Sequence, residues 1–110
     1  MDIRLELFDS NHMDVAVSHR TLGSLYLVQN DYEKALSHFK KSEKIFTNLD
    51  MEYTFENGVL HFHLGQFYAI NHHYEKAELH YSKTLSINRK IYGDLNDHTA
   101  SALRALASLY

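Results

Sequence analysis

Leu22-Gly23-Ser24-Leu25-Tyr26 returns as Leu64-Gly65-Gln66-Phe67-Tyr68 and again as Leu106-Ala107-Ser108-Leu109-Tyr110, offset by 42 residues each time (65 − 23 and 107 − 65). A second block keeps the same period, with Tyr32-Glu33-Lys34-Ala35 recurring as Tyr74-Glu75-Lys76-Ala77. Aligning 16–49 with 58–91 gives twelve identities in 34 positions, where ordinary composition gives roughly two by chance. The opening residues fit at twice the period, Ile3, Leu7 and Phe8 standing opposite Ile87, Ile91 and Tyr92 (87 − 3 = 84). Self-similarity at a fixed period of this size marks a repeat architecture, in which each unit buries its apolar face on its neighbours.

Each unit reads as two helices. In the first, His19, Leu22, Gly23 and Tyr26 share one face at helical spacing, until Gln29-Asn30-Asp31 breaks the pattern. The second carries Tyr32, Ala35, Phe39, Ser42 and Ile45 at spacings of three and four. Small residues at Gly23 and Ala35 let the helix axes approach, so that Tyr26 and Phe39 lie in the grooves between them. The spacing therefore predicts an all-α, right-handed α-solenoid of antiparallel helix pairs with about two and a half repeats. Residues 1–9 are the tail of a preceding helix, 12–49 are repeat 1, 51–92 are repeat 2, and 97–110 are the first helix of repeat 3. The chain reads as a single domain and a fragment of a longer array, whose open ends, through Leu103, Leu106 and Leu109 or the opening tail, favour self-association.

Composition agrees. There is no proline and there are only four glycines in 110 residues, whereas a sheet protein of this size needs many more turns. The net charge of −3 is mild and the two signs are interleaved, which argues against a nucleic-acid surface, since that needs clustered cations. No apolar run approaches the roughly 20 residues that span a bilayer, and MDIRLELFD lacks the order of a signal peptide, so the expected location is cytoplasmic. The absence of cysteine excludes disulfide and thiol chemistry.

Leu22, Gly23, Tyr26, Ala35 and Phe39 in one unit, with Leu64, Gly65, Tyr68, Ala77 and Tyr81 in the next, resemble the tetratricopeptide repeat family. The usual unit there is 34 residues. The 42-residue period resembles the kinesin light chain and nephrocystin-like class, as do the run 11–18 leading into Leu22 and the run from Ala77 to Gly93. The likeness implies a helical scaffold that binds a peptide or partner protein in a concave groove. The alternative it implies is a regulatory array of a larger signalling protein or enzyme, contacting that protein's other domains. Where the class carries a proline near the end of the second helix, this chain has Thr47 and Arg89. Where the class has paired asparagines, it has Arg20-Thr21, Phe62-His63 and Arg104-Ala105.

Enzyme signatures are missing: no glycine-rich phosphate loop, no Gly-x-Ser-x-Gly elbow. The nine histidines form no His-x-x-x-His pair; His19 with His61 and His38 with His80 are repeat-equivalent, and we assign them packing and surface roles, with no metal and no cofactor. Carboxylates such as Glu33, Glu75 and Glu78 sit among Lys34 and Lys76 on a solvated face. Turned away from the packing stripe of each first helix lie Val17, Arg20, Ser24 and Leu27, then Val59, Phe62, Gln66 and Ala69, then Ser101, Arg104 and Ser108. The resemblance places this stripe along the groove. The candidate peptide-binding residues are Arg20, Ser24, Leu27, Phe62, His63, Gln66, Arg104 and Ser108. Two arginines flanking a phenylalanine suit an acidic peptide with an apolar anchor, because guanidinium binds carboxylate through two parallel hydrogen bonds.

Overall fold

The computed structural model describes residues 2–110, with side chains from Met13 onward; the side chains of Ile3, Leu7 and Phe8 lie outside the described residues. Five helices follow one another: α1 (Asp2–Val28), α2 (Tyr32–Asn48), α3 (Phe55–Ile70), α4 (Tyr74–Tyr92) and α5 (Asp97–Ala107). No strand occurs among the described residues, and the fold is the all-α helical repeat expected from the sequence. The chain forms two compact units, unit 1 from Met1 to Met51 and unit 2 from Glu52 to Tyr110. In one respect the helices differ from the sequence reading. That reading separates a tail at 1–9 from repeat 1, whereas α1 continues through both.

α1 and α3 end without glycine or proline, whereas α4 ends on Gly93 at φ 85°. Asn30 and its repeat equivalent His72 both take φ of 64°, the left-handed conformation that stops a helix. The next amides then reach back, Asp31 N to Tyr26 O at 2.9 Å and His73 N to Tyr68 O at 2.8 Å. At helix starts, Asp31 accepts from Lys34 N, Thr54 from Asn57 N and Asn96 from His98 N, which satisfies amides that have no partner within the helix.

Inside unit 1, α2 buries Ala35, Phe39, Ser42 and Phe46, spaced four, three and four. Gly23 lies against Phe39 so closely that a Cβ there would come 2.6 Å from the ring. Unit 2 repeats the contact, a Cβ on Gly65 falling 2.5 Å from Tyr81. A polar tie recurs as well: Ser42 Oγ donates to Ala16 O at 2.7 Å and Thr84 Oγ1 to Gly58 O at 3.0 Å. Each pair thus shares one register, fixed by a glycine under a ring and a hydroxyl on a helix carbonyl.

The buried face of α1 is turned from the one expected. Ala16, Gly23 and Leu27 are buried, while Leu22 is 38% exposed. At 100° per residue, Leu27 lies only about 40° from Gly23 around the helix and Leu22 about 100° the other way. The glycine that receives the Phe39 ring sets the centre of the contact, and Leu27 falls inside it. Tyr74, the repeat equivalent of Tyr32 at the start of the second-helix stripe, is 51% exposed.

Candidate functional site

Each unit carries an aromatic and histidine stack. In unit 1, Lys34 Nζ sits 5.5 Å over the Tyr26 ring, Tyr26 lies nearly parallel to His38 at 5.5 Å, and His38 meets His19 with Nδ1 atoms 2.9 Å apart. Unit 2 repeats it with Lys76 over Tyr68 at 5.4 Å, Tyr68 beside His80 at 5.3 Å, and His80 against His61 at 2.9 Å. The imidazole centroids are 5.1 Å apart in both pairs, so the nitrogens are 2.2 Å closer than the centres (5.1 − 2.9). That difference means the two Nδ1 atoms point at each other. One ring must then donate and the other accept. The contact ties the first helix of each pair to the second.

The open chemistry lies in unit 2. Between α3 and α5, over α4, is a cavity of about 230 Å³ walled by Phe55, Val59, Phe62 and Ala102, with His63, His98 and Ser101 at its edge and Thr84 and Asn88 beneath. Phe62 is half-buried, its ring 5.6 Å from Tyr81 and tilted 50° to it. Burial pushes the pKa of the Tyr81 hydroxyl up. His98 stacks on Tyr92 at 4.7 Å and meets Phe55 edge-on at 5.4 Å, which holds the start of α5 against the cavity wall.

Two of the residues expected from the sequence line this cavity, and two more contact residues that line it. Phe62 and His63 line it. Gln66 Oε1 lies 3.1 Å from His63 Nδ1, and the exposed Arg104 donates from its guanidinium to Ser101 Oγ at 3.1 Å. Ser108 is exposed at the end of α5, its Oγ donating to Ala105 O at 2.6 Å. Arg20 and Ser24 belong to unit 1, where both are half-buried. Leu27 is corrected: at 8% exposure it packs on the Gly23 side of α1 and presents no surface to a ligand. Leu103 is exposed, and Leu106 and Leu109 are half-buried. The sequence reading missed Asn88, Gly58 and the pairing of the histidines. The signal for the last was available, since both positions carry histidine in both units.

A helix pair repeated at a 42-residue period is the architecture of a helical-repeat protein. Residues 1–48 match the family model for the tetratricopeptide repeat, which supports a tetratricopeptide repeat assignment. Repeats of that family generally mediate protein–protein interaction and form non-catalytic scaffolds. No curated protein and no solved structure shows a significant match to the chain. No helix among the described residues is long and apolar enough to cross a membrane.

Proposed function

We propose that the chain binds a partner protein through an extended acidic segment carrying an apolar anchor, held on the face that α3 and α5 form in unit 2. The observation that carries this reading is the cavity of about 230 Å³ between Phe62 and Ser101, with the exposed Arg104 guanidinium next to it. An apolar side chain entering the cavity removes the half-buried Val59 and Phe62 from water at about 25 cal/mol per Å² of apolar surface. A carboxylate one or two residues along the peptide reaches Arg104, whose planar fork takes it through paired hydrogen bonds. Gln66 and Ser101 offer polar groups to the peptide backbone. Arg20, in unit 1, stands at the repeat position two periods before Arg104 (104 − 84 = 20). The finer likeness to the kinesin light chain class belongs to this proposal, supported by the 42-residue period.

Affinity on the order of micromolar follows from the small area a single cavity and one cation bury. It falls as salt rises, because exposed charges are screened within about 10 Å at 0.1 M. The test is titration of acidic peptides and their charge-reversed counterparts against the wild type, Arg20→Glu, Arg104→Glu and Phe62→Ala. The proposal expects acidic peptides to bind the wild type and to lose affinity in Arg104→Glu and Phe62→Ala. Binding indifferent to peptide charge and to all three substitutions overturns it.

A further inference from the structure

Unit 2 departs from unit 1 at two positions that meet beneath the cavity. Where unit 1 has Ala16, unit 2 has Gly58, and where unit 1 has the fully buried Phe46, unit 2 has Asn88 (58 − 16 and 88 − 46 are both 42). The two are adjacent: a Cβ on Gly58 would lie 3.3 Å from Asn88 Oδ1. The glycine leaves open the path that an alanine would close, and the asparagine puts an amide where the repeat elsewhere puts a phenyl ring.

Asn88 is only 6% exposed, yet its amide is half used. Nδ2 donates to His98 O at 3.0 Å. Because a carbonyl only accepts, that bond fixes which end of the amide is nitrogen and leaves Oδ1 on the Gly58 side. No described residue donates to Asn88 Oδ1. Asn88 lines the cavity, so the cavity has a hydrogen-bond acceptor at its floor under apolar walls.

We propose that this cavity recognises a tyrosine side chain of the bound peptide, its ring between Val59, Phe62 and Ala102 and its hydroxyl donating to Asn88 Oδ1. This rests on the peptide-binding reading above and names its anchor. The size fits: a void of about 150 Å³ holds a benzene ring, and the cavity, at about 230 Å³, is smaller than the roughly 300–1,000 Å³ that drug-sized ligands occupy. The chemistry selects as well. Phenylalanine fills the walls and leaves Oδ1 bare; a carboxylate at the floor brings an acceptor to an acceptor. Tyrosine carries its donor at the tip of the ring, on the axis along which a side chain enters, whereas an indole N–H sits on the flank of a larger ring.

Two probes separate this inference from the reading beneath it. The first is p-cresol against toluene, followed by NMR on the intact 110-residue chain, which tests the cavity with no peptide present. The inference expects p-cresol to shift the Asn88 side-chain amide and the Gly58 and Phe62 backbone amides, with toluene about five- to tenfold weaker, as one hydrogen bond of about 1 kcal/mol gives. Gly58→Ala, checked for an unchanged helical spectrum, should abolish the p-cresol shifts. Equal response to the two probes, or shifts elsewhere only, overturns the inference whether or not the variant folds. The second probe is an acidic peptide with one central tyrosine and its phenylalanine counterpart. A tyrosine preference supports the inference. Equal binding of both peptides, still sensitive to Arg104→Glu, leaves the peptide face standing and overturns the tyrosine pocket. Cavity shifts with p-cresol and no binding of either peptide overturn the peptide reading, and with it the peptide tyrosine, leaving only a phenol-sized cavity.

Discussion

His19 and His38 face each other across the α1–α2 hairpin with their Nδ1 atoms 2.9 Å apart, and His61 and His80 repeat the contact at the same distance one period later. Each contact ties the first helix of a pair to the second through a shared proton.

The first prediction concerns acidification. The pKa of His19 lies below its ordinary 6.5, first because burial disfavours the charged ring, then because of the charges of His38 and Lys41. Unfolded His19 therefore takes up its proton at higher pH than folded His19, and the unfolded state binds more protons in that window. Stability from this group is full above about pH 6.5 and is lost as pH falls through that value toward the folded pKa. Urea unfolding at about pH 7.5 and about pH 5.5 checks it. The wild type should lose more stability between the two than His19→Gln does, and equal losses would remove His19 as a cause.

Gly65→Ala should destabilise the protein. The added Cβ meets the Tyr81 ring at 2.5 Å, an overpacking that costs about 1–3 kcal/mol, offset by up to about 1 kcal/mol of better helix propensity. Gly65→Leu should cost several kcal/mol. Gly58→Ala meets Asn88 and Ile87 at 3.3 Å, a contact that small shifts relieve, and should stay within about 1 kcal/mol of the wild type. Thermal melts rank the three, and a Gly65→Leu midpoint matching the wild type would contradict the register of α3 on α4.

The same leucine letter should carry different weight in the two units. Leu64 is fully buried and Leu22 is 38% exposed. Leu64→Ala should cost about 2–5 kcal/mol and Leu22→Ala less than about 1 kcal/mol, measured by urea unfolding. Similar losses would show that Leu22 is covered in solution.

Ser42→Ala and Thr84→Val remove equivalent ties, the hydroxyl bonds to Ala16 O and Gly58 O. Each should cost about 0.5–1.5 kcal/mol. Finding both variants as stable as the wild type would mean that the rings on Gly23 and Gly65 fix the register alone.

These contrasts show what the sequence carried. The period, the helix pairs and the close approach at Gly23 and Gly65 were legible because they repeat, and repetition survives without knowing what touches what. The facing of α1 was not. Periodicity admits two neighbouring arcs, one through Leu22 and Tyr26 and one through Ala16, Gly23 and Leu27, and only the Phe39 ring selects between them. The histidine contacts join residues 19 apart on different helices, so no spacing within one helix reveals them. Phe62, Gln66 and Arg104 were singled out by helical angle together with the family resemblance, which says which face is the groove but not what it binds. Asn88 and Gly58 were missed because they differ from the repeat, and a departure acquires meaning only once the two positions are seen to meet.

The most direct test of the peptide-binding account is to map the contact of an acidic, apolar-anchored peptide on the chain by amide chemical shifts. The account predicts the largest shifts at Val59, Phe62, His63, Ser101 and Arg104, and their disappearance in Arg104→Glu and Phe62→Ala with the helical spectrum intact. Shifts confined to the exposed faces of α2 and α4, around Lys40, Lys44, Glu78 or Lys83, with α3 and α5 silent, would contradict it.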